Sequence, residues 1–458
     1  MSPSHGLLPN RDRVGEAPRA DRPLHTMSDV RAWLAERQAA MPVRVTRVPL
    51  RAMTEWSFDS RSGPLRIVHR SGRFFAVEGV RVTTDFGPVP QWDQPILVQP
   101  EVGTLGIVTH VLNGTPHFLL QAKVEPGNVT GVQLAPTVQA TRSNYTRVHG
   151  GADTTFLEYF RGHARARVLV DQLQSEQASR YLRKQNRNMI VEVHDELPHD
   201  DRFRWLTLAQ IKALLREPNV INMDTRTVLA CLTGPDVAPA AEHATRHDLR
   251  ELLHWLTDLR ASHSLTLERR AIDELDHWVL DDAAVHHESG RYFSVIGVAV
   301  EAGCREIRHW EQPLLEHPGF GLNGFIVKRF KGVRHLLVRA CMYPGNHALF
   351  ELGSTVSRSS ADFYFGRPDA PAYLELFHDP PASWIRYSAI QSEEGGRFYH
   401  YQNRYVILEL PDEIDLPESP VHRWMALAQV QELLPHGYIN IEARNLLACL
   451  DQEYGDAD

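Results

Sequence analysis

Ser71-Gly-Arg-Phe-Phe-Ala-Val-Glu-Gly-Val80 returns, 218 residues later, as Ser289-Gly-Arg-Tyr-Phe-Ser-Val-Ile-Gly-Val298. Working outward, Trp92-Asp-Gln-Pro-Ile-Leu97 returns as Trp310-Glu-Gln-Pro-Leu-Leu315, Pro126-Gly-Asn128 as Pro344-Gly-Asn346, and Thr137-Val138 as Thr355-Val356, all at that offset of 218. Ser175-Glu176 with Gln185-Asn-Arg187 returns at 217 as Ser392-Glu393 with Gln402-Asn-Arg404. Arg204-Trp205 and Leu208-Ala-Gln210 return at 219 as Arg423-Trp424 and Leu427-Ala-Gln429, and Leu229-Ala-Cys-Leu232 returns at 218 as Leu447-Ala-Cys-Leu450. An ordered series of matches that drifts by so little marks a tandem duplication. Its period is far too long for a solenoid, so each copy is a domain in its own right. The expected organisation is a disordered leader over 1–27, a first repeat over 28–232, a Pro/Ala/Gly-rich linker over 233–246, a second repeat over 247–450 and a short tail over 451–458.

Composition narrows the function class. The chain has 458 residues, 43% hydrophobic and 23% charged, which is globular and leaves room for more than one core. No apolar run approaches the roughly 18 residues needed to cross a bilayer, and Met1 to Thr26 has no apolar segment of a secretory signal. A net charge of −8 argues against nucleic acid, whose phosphates call for a basic face. The four cysteines form no CxxC pair, so neither a zinc site nor a disulfide framework is expected, and a reducing cytoplasm is the default compartment. Only five lysines occur, at 123, 184, 212, 328 and 331, the remaining cations being arginine.

Each copy reads as α+β. A helix around Asp29–Glu36 opens the first, capped by Thr26 or Ser28; around Asp248–Leu256 another opens the second, with Thr245 as its cap. Short alternating runs broken by Gly, Pro and Asn fill the middle, and two short helices close each copy. Thr207 and Gln210 form a capping box that Ala426 weakens in the second copy. Cys231 and Cys449 read as buried inert thiols, Trp205 and Trp424 as core, and the two Pro-Gly-Asn segments as turns.

Three clusters can carry chemistry. Trp56 and Trp278, followed by Trp92-Asp-Gln94 and Trp310-Glu-Gln312, offer either stacking faces with hydrogen-bonding neighbours or half-buried packing. The segment Thr141-Arg142-Ser143-Asn144-Tyr145, with its twin around Arg358-Ser359-Ser360, joins a guanidinium to hydroxyls, as a diphosphate requires, or is an ordinary loop. Ser175-Glu176 leading to Gln185-Asn-Arg187, and Ser392-Glu393 through Arg397 to Gln402-Asn403, places Glu176 and Glu393 where burial would make either an acid or a base. A salt-bridged strand pair is the plain alternative. The chain has no Walker loop, no GxGxxG after a strand, no GxSxG and no HExxH, and its histidines share no metal-binding spacing.

The duplicated unit, with its Trp-x-Gln-Pro-[Ile/Leu]-Leu, Thr-Val, Ser-Glu…Gln-Asn-Arg and Arg-Trp-x-x-Leu-Ala-Gln motifs, resembles the NDP-hexose 2,3-dehydratases of deoxysugar and antibiotic biosynthesis. The resemblance implies paired Nudix-like mixed-sheet domains flanked by helices, a homodimer, and a dTDP-linked 4-keto-6-deoxyhexose as substrate. A base takes the C3 proton, made acidic by the C4 ketone, the C2 hydroxyl leaves as water, and the enol becomes a 3,4-diketo-2,6-dideoxy sugar. No cofactor or metal is implied, and a 3-ketoreductase is the expected consumer of the product. Under this resemblance Glu176, Glu393, Tyr145 and Tyr401 are the catalytic candidates. The binding candidates are Trp56, Thr141, Arg142, Ser143, Asn144, Tyr145, Trp310, Arg358, Ser359, Ser360, Ser392, Arg397, Gln402 and Asn403, with Asn186 and Gln185 as further donors. Either copy can be the working one. A Nudix-type hydrolase and a non-catalytic nucleotide-sugar-binding protein are the competing readings.

Overall fold

The computed structural model describes residues 21–141, 154–162, 164–232, 244–303, 307–359, 365, 367 and 370–450. The fold is mixed α+β, dominated by sheet and built as two similar halves, with six α-helices among the described residues. Met27–Ala40 opens the first half through a capping box between Thr26 and Asp29. Leu249–Ser262 opens the second, capped by Asp248 with Glu251 rather than by Thr245, since a carboxylate directly before the first turn is the nearer acceptor. Leu208–Leu215 begins with the expected Thr207–Gln210 box. At Leu427–Leu433 Ala426 has no side-chain acceptor, and only the Gln429 half survives, its Oε1 accepting from the Ala426 N–H at 2.9 Å.

Each half contains a seven-stranded sheet of the same order. In the first, Arg167–Ser175, Gln185–Glu192, Gly103–Leu112, Thr115–Val124 and Phe203–Thr207 lie side by side, with Val132–Ala135 and Val138–Ala140 added at the flank. Gln185–Glu192 runs parallel to Gly103–Leu112, whereas the other neighbours are antiparallel. Ile385–Ser392, Gln402–Glu409, Gly321–Phe330, Val333–Cys341 and their partners repeat this arrangement.

The smaller sheets tie the halves together. Val43–Val48, from the first half, pairs antiparallel with Ser294–Ala302 of the second. Leu265–Arg270, from the second, pairs in the same register with Ala76–Thr84 of the first. Both exchanged strands alternate their exposure over the first four residues, as a one-sided strand does. The main core also spans both halves: Val30, Trp33, Ile107 and Leu120 share one cluster with Phe325, Leu336, Tyr405 and Leu446. Helices Met223–Ala230 and Ile441–Cys449 carry the seam, and Cys231 and Cys449 at their ends are buried.

The Pro-Gly-Asn segments are turns, and they are also where the two backbones meet. Gly127 donates its N–H to Gly395 O at 2.7 Å and accepts from His400 N at 2.9 Å. Gly345 donates to Ala178 O at 2.8 Å and accepts from Arg183 N at 2.9 Å. These contacts press the Ser-Glu-containing segment of each half against the body of the other.

Candidate functional site

A solvent-open cleft lies on the first half's large sheet and is completed by the second half. Lys123 and Glu125 stand at the end of Thr115–Val124, Gln139 and Thr141 on and beside Val138–Ala140, and Glu176 just past Arg167–Ser175. Lys184 and Asn186 flank the start of Gln185–Glu192, and Asp224 lies in the first turn of its helix. Glu394 and Arg397 reach in from the second half. The Arg397 guanidinium lies 4.3 Å above the Phe75 ring, a cation–π contact that holds it against the first half.

The cleft groups are held by short bonds. Asn186 Oδ1 accepts from Gly103 N at 3.0 Å, and its Nδ2 donates to Glu176 Oε1 at 2.5 Å. Lys123 Nζ and Gln139 Nε2 both donate to Glu125 Oε1, at 3.2 and 3.0 Å. Tyr181 Oη donates to Glu394 Oε2 at 3.2 Å, and Lys184 Nζ donates to the Glu101 carbonyl. Burial drives the protonation states. It raises Glu176 against the pull of Lys184, Arg444 and the Asn186 amide. Burial, with Glu176, Glu125 and Glu394 nearby, pushes Asp224 well above the usual carboxylate range. Glu394 is pushed up to about 7 by burial and then by Glu125 and Glu176, with Arg397 opposing. Lys184 is lowered by burial, partly restored by Glu176. An open cleft whose buried carboxyls hold their protons more tightly than usual, beside cations, is suited to proton transfer next to an anionic substrate.

The second half has a corresponding cluster of different composition. Cys341 stands for Lys123, Tyr343 for Glu125, Tyr401 for Lys184 and Glu442 for Asp224. Arg180 crosses from the first half and lies 4.3 Å over Phe293, as Arg397 lies over Phe75. Tyr401 stacks on His317 at 5.0 Å. Burial lifts Tyr401 to about 12, with Arg180 opposing, and drives His317 down to about 3, with Arg180 adding to the fall.

Of the residues singled out from sequence, Glu176, Thr141 and Arg397 meet in the first-half cleft, whereas Glu393, Asn403, Tyr401 and Ser359 belong to the second cluster. Trp56 is buried, donates its indole N–H to Glu311 O at 2.7 Å and packs on Phe75, one layer behind Arg397. Trp310 is half-buried, its indole donating to Gln312 Oε1 at 2.9 Å. Arg358 ends the strand Val356–Arg358, exposed, and Gln402 pairs with Ser392 across the edge of the second large sheet. Ser392 accepts from Gln133 Nε2 at 2.7 Å in the seam. Arg142, Ser143, Asn144, Tyr145 and Ser360 lie outside the described residues. Sequence reading passed over Lys123, Glu125, Lys184, Asp224 and Glu394. A signal for two of them was present, since two of the chain's five lysines line this one cleft.

Glu442 illustrates the electrostatic load of the interior. Burial, with Glu393 and Glu351 adding to it and Arg444 opposing, pushes it up to about 7. A carboxyl that holds its proton more tightly in the fold stabilises the fold fully below the ordinary value of 4.5, and loses that contribution as pH rises through about 7. Glu442→Gln has no such titration. The variant's thermal midpoint, measured relative to wild type, is therefore expected to climb from about pH 5 to about pH 7.5; a difference that shrinks over that window would contradict the assignment.

A family model described as NDP-hexose 2,3-dehydratase matches the chain twice, over residues 27–232 and 249–450. Three curated relatives carry the name dTDP-4-dehydro-6-deoxy-alpha-D-glucopyranose 2,3-dehydratase. The protein from Amycolatopsis orientalis is 44% identical over 92% of this chain and 90% of its own length. Those from Saccharopolyspora spinosa and Streptomyces violaceoruber are 43% and 42% identical over 92% of this chain and 91% and 96% of their own lengths. Two copies of one family unit, joined by exchanged strands, place this chain in the NDP-hexose 2,3-dehydratase family.

Proposed function

We propose that the chain is a hydro-lyase that removes water across C2–C3 of dTDP-4-keto-6-deoxyglucose, and that the chemistry takes place in the first-half cleft. The C3 proton leaves to a carboxylate, the C2–O bond breaks with delivery of a proton to the departing hydroxyl, and the C2=C3 enol tautomerises to the 3,4-diketo-2,6-dideoxy sugar. Carbon changes oxidation state only within the sugar, so the residues must bind, orient and move protons. The observation that carries this reading is the joint presence, in one open cleft, of the carboxyls Glu176, Asp224 and Glu394 with Lys123, Lys184 and Arg397. Arg397 suits the diphosphate, because a stacked guanidinium is a preorganised bidentate anion donor. Lys184 and Asn186 can oppose charge developing at the C4 oxygen. We further read each large mixed sheet with its closing helices as a Nudix-like unit, the protein as a cytoplasmic homodimer, and a 3-ketoreductase as the next enzyme.

The test is incubation with dTDP-4-keto-6-deoxyglucose in D₂O, trapping the labile product with a 3-ketoreductase and NADPH. The expected product is a 2-deoxy sugar carrying solvent deuterium at C2. Bound but unaltered substrate would favour the non-catalytic binding reading. Release of thymidine monophosphate would favour diphosphate hydrolysis, which a Nudix enzyme carries out with bound metal; among the described residues no three His, Cys, Asp or Glu side chains are grouped to hold an ion.

A further inference from the structure

The two halves treat their conserved glutamates differently. Glu393 is saturated: it accepts at Oε1 from Asn403 Nδ2 and, at 2.8 Å, from Tyr405 Oη, and at Oε2 from Gln177 Nε2 at 2.8 Å. Gln177 crosses from the first half to make that last bond. Three neutral donors of this kind, spread over both oxygens, fix the carboxyl in place and occupy three of its roughly four acceptor positions.

At the same positions in the first half, every donor but one is gone. Asn186 still bonds Glu176 Oε1, as Asn403 does Glu393. Tyr405 is replaced by Asn188, whose amide turns to Thr227 Oγ1 at 3.2 Å. Gln177 is replaced by Glu394, which crosses from the second half and lines the cleft with Glu176. A carboxyl donates only when protonated, and two buried carboxyls facing one site do not both ionise readily. Duplication has therefore produced one glutamate bonded at both oxygens and one pair of carboxyls, Glu176 and Glu394, that line the same cleft.

We propose that Glu176 and Glu394, one from each half, are the base and the acid of the dehydration, and that Glu393 only fixes the fold of the second cluster. This rests on the dehydratase reading. Glu176, as carboxylate, takes the C3 proton; Glu394, as carboxylic acid, gives its proton to the C2 oxygen as the C2–O bond breaks and water leaves. Each cycle ends with Glu176 protonated and Glu394 ionised, and transfer between them through the cleft restores the starting state. Tyr181, hydrogen-bonded to Glu394, is a positioning residue for the acid.

Solvent-exchange measurements on the full chain separate the two roles. In D₂O with dTDP-4-keto-6-deoxyglucose, E176Q should lose both C3 deuterium wash-in and dehydration by about 10³-fold, since nothing remains to take the proton. E394Q should keep C3 wash-in and lose dehydration by about 10²-fold or more. E393Q, compared per folded molecule by dTDP binding, should retain both within about threefold while melting at lower temperature. E394D covers the case in which the amide variant fails to fold: it should exchange C3 at the wild-type rate and dehydrate more slowly. Near-wild-type dehydration by E394Q, or loss of wash-in by E393Q and not by E176Q, overturns the assignment. A wild-type protein that neither exchanges nor dehydrates would instead refute the dehydratase reading itself.

Discussion

Gly127→Ala is expected to lower turnover by about 100-fold or more per folded molecule, although Gly127 touches no substrate in the proposed reaction. A methyl at this position would overlap the Phe398 carbonyl oxygen and lie 2.8 Å from Gly395 O. That backbone has little freedom to retreat. Gly127 is bonded to it on both sides, through Gly395 O and His400 N, and Phe398–Tyr399 pairs with His309–Glu316 behind it. Overpacking of this kind costs about 1–3 kcal/mol, occasionally more, and backbone against backbone belongs at the upper end. The displaced stretch also carries Glu394 and Arg397 into the first-half cleft, and an error near 1 Å in a reacting group is worth about 10²-fold in rate. Gly345→Ala supplies the comparison. Its methyl would overlap Tyr181 O and lie 2.6 Å from Ala178 O, moving the segment that sends Gln177 and Arg180 to the second cluster, and it reaches the proposed acid only indirectly, through Tyr181. Both variants should melt at lower temperature by similar amounts, with the larger fall in kcat in Gly127→Ala. The reverse order would move the chemistry to the second half.

The contrast between these glycines also shows what the sequence could and could not reveal. The duplication, the element types, the Thr207 cap and the buried thiols all follow from local pattern and recurrence. Strand exchange does not. Val43 and Val45, alternating with Arg44 and Thr46, announce a strand with one apolar face, but period-two alternation carries no information about which sheet that face will join. The site was hidden for a different reason. Residues shared by both copies are those that both halves need, such as Asn186 and Asn403 or Arg226 and Arg444, and they serve mainly to hold the architecture. Chemical difference resides where the copies diverge: Lys123 against Cys341, Glu125 against Tyr343, Lys184 against Tyr401, Glu394 against Gln177. A search for recurrence discards those positions by construction. It retained Glu176 because the glutamate recurs, but its partner recurs only as an amide.

Arg226→Ala should destabilise the protein by about 4 kcal/mol, as should Arg444→Ala, and the double variant should lose less than the sum. Both guanidinium groups are fully buried on the two seam helices. Arg226 donates to Asn445 Oδ1 at 2.9 Å and to the Ile221 and Ser392 carbonyls at 2.8 and 2.7 Å, and lies 5.2 Å over the Tyr405 ring. Arg444 reciprocates with Thr227 Oγ1 at 2.8 Å and the Ile439 and Ser175 carbonyls. Truncation strands two or three acceptors in the dry core, at about 1–3 kcal/mol each before relaxation, and adds a cavity. The effects overlap because each arginine also bonds the neighbouring helix of its twin, so the first truncation loosens what the second would have broken. Arg226→Lys should recover only part of the loss: an ammonium on a flexible stem cannot reproduce a planar fork aimed at three fixed oxygens. Urea unfolding of the wild type and the four variants measures this directly, and additive losses would show that the two arginines act separately. The functional consequence follows from what they grip. Arg444 holds the carbonyl of Ser175, immediately before Glu176, and Arg226 that of Ser392, two residues before Glu394. The same pair of buried charges that binds the halves together therefore sets the distance between the two carboxyls proposed to exchange a proton, and any variant that weakens the seam should slow dehydration before it unfolds the chain.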